Sequence, residues 1–455
     1  MPVPSDNWKK RQVGKLYPLC LKGTTIKIIN ARQNIIYNNR LNKDIIANRD
    51  FVRIFKLCNG EYTVKDIVDN IFGREALSNS VIYQKVKKVL LGLEKEEMIL
   101  FFHSPQKGNI RIIKNKYKYP LNYIYLEVTK KCNFSCIHCY ANCPSLNQKG
   151  VDISTEMSKE DYFKLIDTLD EMGVVFIFIT GGEPFMREDI FEILSYIYSK
   201  NIGFSILTNG SLLNTNKIQK LSKLRPQSIQ VSFDCYDKIS FDRIRGVGRY
   251  KQVLNTMEKI ITHNLPLKIN TVLFNEINSS YLDIKKLLSF LNSHLSVSDI
   301  TFDAFIPQGE GLNKDYLQVN EKKTMAALKK AWREIHPDKM NIMDANSIKS
   351  ATSDTFCGIG VEMIYIATNG DIFLCPGLSS VKYKIDNINN KNLEDIWTNS
   401  EMFAYFRKKN YLKDSECKGC VHLSDCDGGC KARAVYLHGH FNDKDPWMCA
   451  YYGKQ

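Results

Sequence analysis

One rhythm governs residues 113–345. Six short apolar runs recur, "NYIYLEV", "VVFIFIT", "GFSILT", "SIQVSFD", "LKINTVL" and "DITFDAF". Amphipathic stretches lie between them, such as Lys159–Met172, which starts behind Ser158 as a helix cap. Apolar strands alternating with helices predict an α/β fold in which each helix returns the chain to the same end of a parallel sheet, by a right-handed crossover. Six such units predict a partial (β/α)6 barrel. In such barrels chemistry collects on the loops at the C-terminal ends of the strands. The first of those loops reads "KKCNFSCIHCY".

That loop places Cys132, Cys136 and Cys139 in a Cys-x3-Cys-x2-Cys spacing. Thiolates are soft ligands that suit iron–sulfur clusters and zinc. Three cysteines on a four-iron cluster leave one iron for a non-protein ligand. A zinc site needs a fourth ligand, and His138 and Cys143 are near in sequence. Further polar motifs close the next strands. "TGGEP" (Thr180–Pro184) follows the second, where glycines let backbone groups approach a ligand closely. "LTNG" ends the third strand and "VSFD" the fourth. A glycine pair after a strand is by itself an ordinary turn; the specificity lies in the order of all these motifs.

In that order the chain resembles the radical S-adenosylmethionine (radical SAM) superfamily. The resemblance implies that Cys132, Cys136 and Cys139 ligate a 4Fe-4S cluster whose open iron is chelated by S-adenosylmethionine. It implies that Gly181, Gly182, Glu183 and Pro184 border the methionine amino group and that His138 and Tyr140 flank the adenine. Ser232 and Arg245 stand where the ribose or carboxylate is contacted. The chemistry implied is reductive cleavage of the cofactor to a 5′-deoxyadenosyl radical that abstracts hydrogen from an unactivated carbon.

Residues 346–455 hold seven cysteines and little helical periodicity apart from "NLEDIWTNSEMFAYFRKK". "EMIYIATNGDIFLC" carries Asn-Gly between two apolar runs, a strong hairpin signal that puts Cys375 at the hairpin's end. "CKGCVHLSDCDGGC" follows, with Cys417, Cys420, Cys426 and Cys430, and Cys449 closes the set. A Cys-x2-Cys pair also suits a zinc ribbon, but seven cysteines do not divide into four-ligand zinc sites. The arrangement resembles the SPASM domain of radical SAM enzymes that modify peptides. The family pattern gives Cys357, Cys375 and Cys430 to one auxiliary 4Fe-4S cluster, and Cys417, Cys420, Cys426 and Cys449 to a second, for three clusters in all. Two departures matter. No cysteine lies between Cys235 and Cys357 to complete the first auxiliary set, so that cluster either keeps an open iron or borrows a ligand such as Asp354. Pro376 stands where sulfatase-maturing relatives carry an aspartate base, so their reaction is not expected here.

Residues 1–112 combine strand-like "TTIKIIN" and "NIIYNN" with three helical segments. "RDFVRIFKLCNG" puts Phe51, Ile54, Phe55 and Cys58 on one face. "TVKDIVDNIF" opens on Thr63 with Asp66 three residues on. "VIYQKVKKVLLGLEKEEMIL" repeats Ile82, Val86, Val89, Leu90 and Leu93 at helical spacing. This predicts a winged-helix-like module resembling the recognition element of ribosomal-peptide maturation enzymes, which binds a leader peptide as an added strand. The competing reading is a DNA-binding winged helix, but the second and third helices are not rich in Arg.

The 455 residues are 44% apolar and carry a net charge of +14 with no concentrated basic tract, so neither nucleic acid nor membrane is an expected partner. The N-terminus lacks an apolar signal region and no run is long enough to span a bilayer, which predicts a cytoplasmic protein. Fourteen cysteines in such a chain favour metal or redox chemistry over disulfides. Cys20, Cys58, Cys143 and Cys235 lie outside both motifs; Cys58, on an apolar face, reads as a small core residue. The expected activity is maturation of a ribosomally made precursor peptide bearing a leader, with a flavodoxin- or ferredoxin-type electron donor. The expected product is a cross-link, a Cys thioether to carbon before a carbon–carbon bond. "GGCKARAVYLHG" also resembles enzymes of haem and redox-cofactor biosynthesis. The alternative of another class is an iron–sulfur winged-helix DNA-binding sensor.

Overall fold

The computed structural model describes residues 13–30, 34–38, 43–78, 80–141, 155–338 and 357–453. Cys143 and Asp354 lie outside them. The chain divides into two compact units, Met1–Pro120 and Leu121–Gln455.

The first unit runs β1 (Tyr17–Cys20), β2 (Thr25–Ile28), β3 (Asn34–Asn38), β4 (Lys43–Ala47), α1 (Arg49–Lys56), α2 (Val64–Phe72), α3 (Glu75–Ser78), α4 (Ser80–Lys95), β5 (Ile99–Phe102) and β6 (Arg111–Lys114). The helices start where their caps dictate. Asn48 accepts from the Phe51 amide, and Thr63 and Asp66 form a reciprocal capping box, devices worth about 1 kcal/mol each. Ile54, Phe55 and Cys58 bury one face of α1 and its C-terminal turn against Ile67 and Val68 of α2 and Val86, Leu90 and Leu93 of α4. β5 returns after α4 to pair antiparallel with β1. A four-stranded sheet in the order β4-β3-β2-β6 completes the unit. Only β2 and β3 of that sheet are apparent from the sequence, because β6 is four residues long and its outer positions are exposed.

The second unit opens with the expected strands: β7 (Tyr123–Glu127), β8 (Phe176–Thr180), β9 (Gly203–Thr208), β10 (Ser228–Ser232), β11 (Leu267–Leu273) and β12 (Ile300–Ala304). Each pairs in parallel with its successor. The crossovers hold α5 (Lys159–Glu171), α6 (Ile190–Ser199), α7 (Thr215–Leu224), α8 (Lys238–Arg245), α9 (Tyr250–Thr262) and α10 (Tyr281–Leu295); α11 (Glu321–Ile335) follows β12. Strand residues alternate between two faces. Ile124, Leu126, Ile177, Ile179, Ile229, Val231, Ile269 and Ile300 are fully buried beneath the helices. Their neighbours Tyr125, Phe178, Gln230, Ser232, Asn270 and Asp303 retain solvent contact and line the lumen.

The cysteine-rich segment continues the same sheet. β13 (Met363–Ile366) runs parallel to β7 with Tyr365 opposite Tyr125, and β14 (Asp371–Phe373) and β15 (Asp386–Asn387) extend it. The amides of Asn122 and Tyr123 donate to the Glu362 carbonyl at 2.9 and 3.0 Å, which seats the hairpin on the first barrel strand. Gly370 turns that hairpin at φ +83°, a conformation glycine adopts without strain. The helical periodicity at 392–408 becomes α12 (Leu393–Asn399) and α13 (Glu401–Arg407), broken at Ser400. Three helices not apparent in the sequence follow: α14 (Leu423–Cys426), α15 (Lys431–His438) and α16 (Pro446–Tyr451). They are short, and α15 is buried nearly all round, which erases the amphipathic signal. No helix of the described residues is long and apolar enough to cross a membrane.

Candidate iron–sulfur and cofactor site

The loop after β7 gathers the three cysteines at the C-terminal rim of the barrel. Cys132 Sγ accepts from the Phe134 amide at 3.5 Å and lies 3.9 Å from Asn209 Nδ2. Cys136 Sγ lies 3.9 Å from an Arg245 guanidinium nitrogen. Burial pushes the Cys132 thiol up to about 12 and Cys136 to about 11; the neighbouring thiols add to this, while Arg245 opposes it at Cys136. Thiols raised in this way, as Cys132 and Cys136 are, ionise readily when a cationic centre is bound beside them, which is how a thiolate-held cluster couples to its site. Among the described residues no three metal-ligating side chains close around a single ion position; the thiols are gathered but not collapsed onto one point.

The glycines of "TGGEP" serve the contact between two loops. A side chain at Gly181 would stand 2.6 Å from the Thr129 carbonyl, and one at Gly182 would collide with the carbonyls of Lys130 and Lys131. The amides of Gly182 and Glu183 donate to Thr129 and Lys131, both at 2.8 Å. The cluster loop is thus backed directly by the loop after β8. Glu183 is fully buried. Its carboxylate accepts from the Thr208 hydroxyl at 2.8 Å, the Asn209 amide at 2.8 Å and the Phe185 amide at 3.2 Å. Burial still raises it to about 7. Pro184 opens the short helical turn that follows. The Gly181 and Gly182 carbonyls accept no hydrogen bond from the described residues and are free for a cationic donor such as an amino group.

Asn209 also donates to Asn133 at 3.0 Å, and Asn133 donates to Ser211 at 2.8 Å, so "LTNG" holds the cluster loop from a second side. "VSFD" holds it from a third. Asp234, fully buried, accepts two hydrogen bonds from Arg245 at 2.6 and 3.2 Å and one from the Val272 amide at 2.9 Å. Arg245 is therefore committed to Asp234 and Cys136, while Ser232 faces the open lumen. His138 packs edge-on against Phe274 at 4.9 Å, and its Nδ1 is buried without a partner. Burial, helped by Arg245, pulls its pKa down to about 3, so the ring is neutral. Tyr140 is exposed at the end of the loop.

The loop after β12 was not singled out by the sequence. There the Glu310 amide donates to the Cys139 carbonyl at 2.8 Å, Lys314 donates to Ile137 O at 2.9 Å, and Gly309, at φ +58°, lies against Cys139 and Tyr140 so closely that any side chain would collide. The two glycines of "QGEG" were the available signal.

The seven tail cysteines separate into two groups. Cys375 is raised by burial and by the charges of Cys430 and Cys357, and Cys357, pushed up to about 12, also feels Cys430. Cys417, Cys420, Cys426 and Cys449 line a cavity of about 220 Å³ together with His422, Tyr452 and Met448. The resemblance to the SPASM domain implies one auxiliary cluster for each of these groups. Cys58 and Cys235 are buried, and Cys58 sits in the first unit's core.

Residues 126–288 match the model of the Radical SAM superfamily, and residues 357–421 match the iron–sulfur cluster-binding SPASM domain. The chain is 27% identical over 350 residues to the AdoMet-dependent heme synthase of Nitratidesulfovibrio vulgaris, covering 71% of this chain and 91% of that one. It is 23% identical over 352 residues to the mycofactocin maturase MftC of Mycobacterium ulcerans, covering 72% and 87%. Among solved structures, Streptococcus suis SuiB bound to its precursor peptide SuiA superposes with a TM-score of 0.62 at 16% identity, over 94% of this chain and 98% of that one. Fold and matched segments together define a radical SAM enzyme with a C-terminal SPASM domain. Its cofactors are a 4Fe-4S cluster with S-adenosylmethionine in the barrel and auxiliary iron–sulfur clusters in the SPASM domain.

Proposed function

We propose that this enzyme matures a ribosomally made precursor peptide by joining a Cys sulfur to a peptide carbon. Cys132, Cys136 and Cys139 would hold the radical SAM cluster, and the free carbonyls of Gly181 and Gly182, with His138, Tyr140 and Ser232, would surround the cofactor. Arg245 would compensate the thiolate charge at Cys136. When bound, the cluster and S-adenosylmethionine supply a carbon-centred radical able to abstract hydrogen from an unactivated carbon.

The observation that carries the thioether reading is the group of Cys357, Cys375 and Cys430. Three thiols, not four, meet there among the described residues, which leaves a position for a substrate thiolate. A bound metal lowers a thiol's pKa and presents the sulfur for attack. Cys417, Cys420, Cys426 and Cys449 would hold the second auxiliary cluster. The winged-helix-like unit at residues 1–112 supports a peptide carrying a leader, docked by added-strand pairing. The likeness to SuiB, solved with its precursor peptide, spans 94% of this chain and so takes in most of that unit. A flavodoxin- or ferredoxin-type donor would supply the electrons.

A second reading, a step in haem or redox-cofactor biosynthesis, is favoured by the likeness to a heme synthase. Mass spectrometry of a small peptide encoded beside this chain and co-expressed with it separates the two. Loss of two hydrogens with a Cys that no longer alkylates is expected. Loss of two hydrogens with every Cys still reactive would replace the thioether by a carbon–carbon link. An unchanged mass would favour the cofactor-biosynthesis reading.

A further inference from the structure

We infer that Asp303 is the base that takes the thiol proton of the substrate cysteine. The inference rests on the thioether reading above. Asp303 lies near the C-terminal end of β12, with Val272 opposite it, on the face that looks into the lumen. Half of its side chain is open to solvent, although protein walls it in, as expected of a group on the wall of a concave chamber. It lies beside the first auxiliary group, since Arg433, 3.7 Å from its carboxylate, follows Cys430 by three positions on α15. Its charge is felt by Tyr125 on the first barrel strand, together with those of Cys375 and Cys357. It is felt as well by Cys430.

Elimination sharpens the choice. Glu127 is paired with Lys130 at 2.8 Å and accepts from the Thr368 amide. Glu183 and Asp234 are saturated by the hydrogen bonds already given. Asp445 takes Arg433 at 3.0 Å and the amides of Cys430 and Trp447. Asp303 accepts no hydrogen bond from any described residue. Its ionic partner Arg433 is 3.7 Å away, too far for a hydrogen bond, and is itself committed to Asp445. Burial raises the Asp303 carboxyl above the usual carboxylate range, and the Asp445 charge adds to this against Arg433. A carboxylate so raised is a better proton acceptor near neutral pH.

The balance closes with groups already named. The peptide C–H bond breaks and its hydrogen atom goes to the radical drawn from S-adenosylmethionine. The S–H bond breaks and its proton goes to an Asp303 carboxylate oxygen. The C–S bond forms, and the remaining electron passes to an auxiliary iron–sulfur cluster.

The test compares wild type, Asp303→Asn and Asp303→Glu, each co-purified with the neighbouring peptide. The readout is deoxyadenosine formed per cross-linked peptide, by mass spectrometry. Loss of a general base predicts a ratio about 10²-fold higher in Asp303→Asn, with Asp303→Glu recovering much of the coupling. An unchanged ratio in Asp303→Asn would overturn the role of Asp303 alone. Loss of deoxyadenosine and product in equal proportion would show a structural residue and overturn it too. Wild type that alters no peptide would overturn the thioether reading, and this inference with it.

Discussion

The carboxylate of Glu183 accepts the Thr208 hydroxyl at 2.8 Å and the Asn209 amide at the same distance, in a place closed to solvent. This contact ties the loop after β8 to the end of β9, and both loops brace the segment that carries Cys132. Glu183→Ala leaves a buried hydroxyl and a buried amide unpaired, which destabilises by about 1–3 kcal/mol. Anaerobic urea unfolding would show it.

The same residue gives a pH signature. Burial raises the folded-state carboxyl to about 7, above its unfolded value. The folded state then holds the proton more tightly, so stability is greatest below the unfolded pKa and falls as pH rises toward 7. Glu183→Gln removes that titration. The stability of the variant relative to wild type is expected to rise between pH 5 and 8, measured by denaturant unfolding at each pH.

Arg245 and Asp234 form a buried two-pronged pair. Removing one partner strands the other charge, at roughly 3–5 kcal/mol. Arg245→Met and Asp234→Asn should each lower the unfolding free energy by that amount, read from denaturant unfolding, and the double variant by less than their sum. Additive losses would show that the two do not act as a pair.

Gly309→Ala forces a side chain into the backbone of Cys139 and Tyr140. The expected outcome is a protein that retains its SPASM clusters but loses iron and sulfide from the barrel site, read by elemental analysis and electron paramagnetic resonance.

Replacing Cys132, Cys136 and Cys139 together with Ala should abolish deoxyadenosine formation. Replacing the tail cysteines should spare part of it, because radical generation and the auxiliary clusters occupy different loops. Chromatographic assay of deoxyadenosine after chemical reduction checks both.

Much of this enzyme was legible before its structure. The apolar run "VVFIFIT" and the 3.6-residue period of Lys159–Met172 specify strand and helix locally, and the Thr63–Asp66 box and the Ser158 cap appear where the sequence places them. Cysteine spacing is equally local, so the loop at Cys132 could be read from the chain alone, whereas the grouping of the tail cysteines was implied only by the family resemblance. Arg245 shows the limit. Its place near the cofactor was implied, but its commitment to Asp234 and Cys136 depends on how α8 turns after the fourth strand.

What only the tertiary structure decided are the long-range approaches. Glu362 meets Asn122 across 240 positions of sequence at 2.9 Å, Gly309 closes on Cys139, and Asp303 comes to face Arg433. No periodicity encodes such meetings. They follow from the order in which parallel strands assemble and from the register that brings Tyr365 opposite Tyr125. Local hydrogen bonds and side-chain spacing are properties of a segment. The chemistry of a lumen is a property of strands that share nothing until they pair.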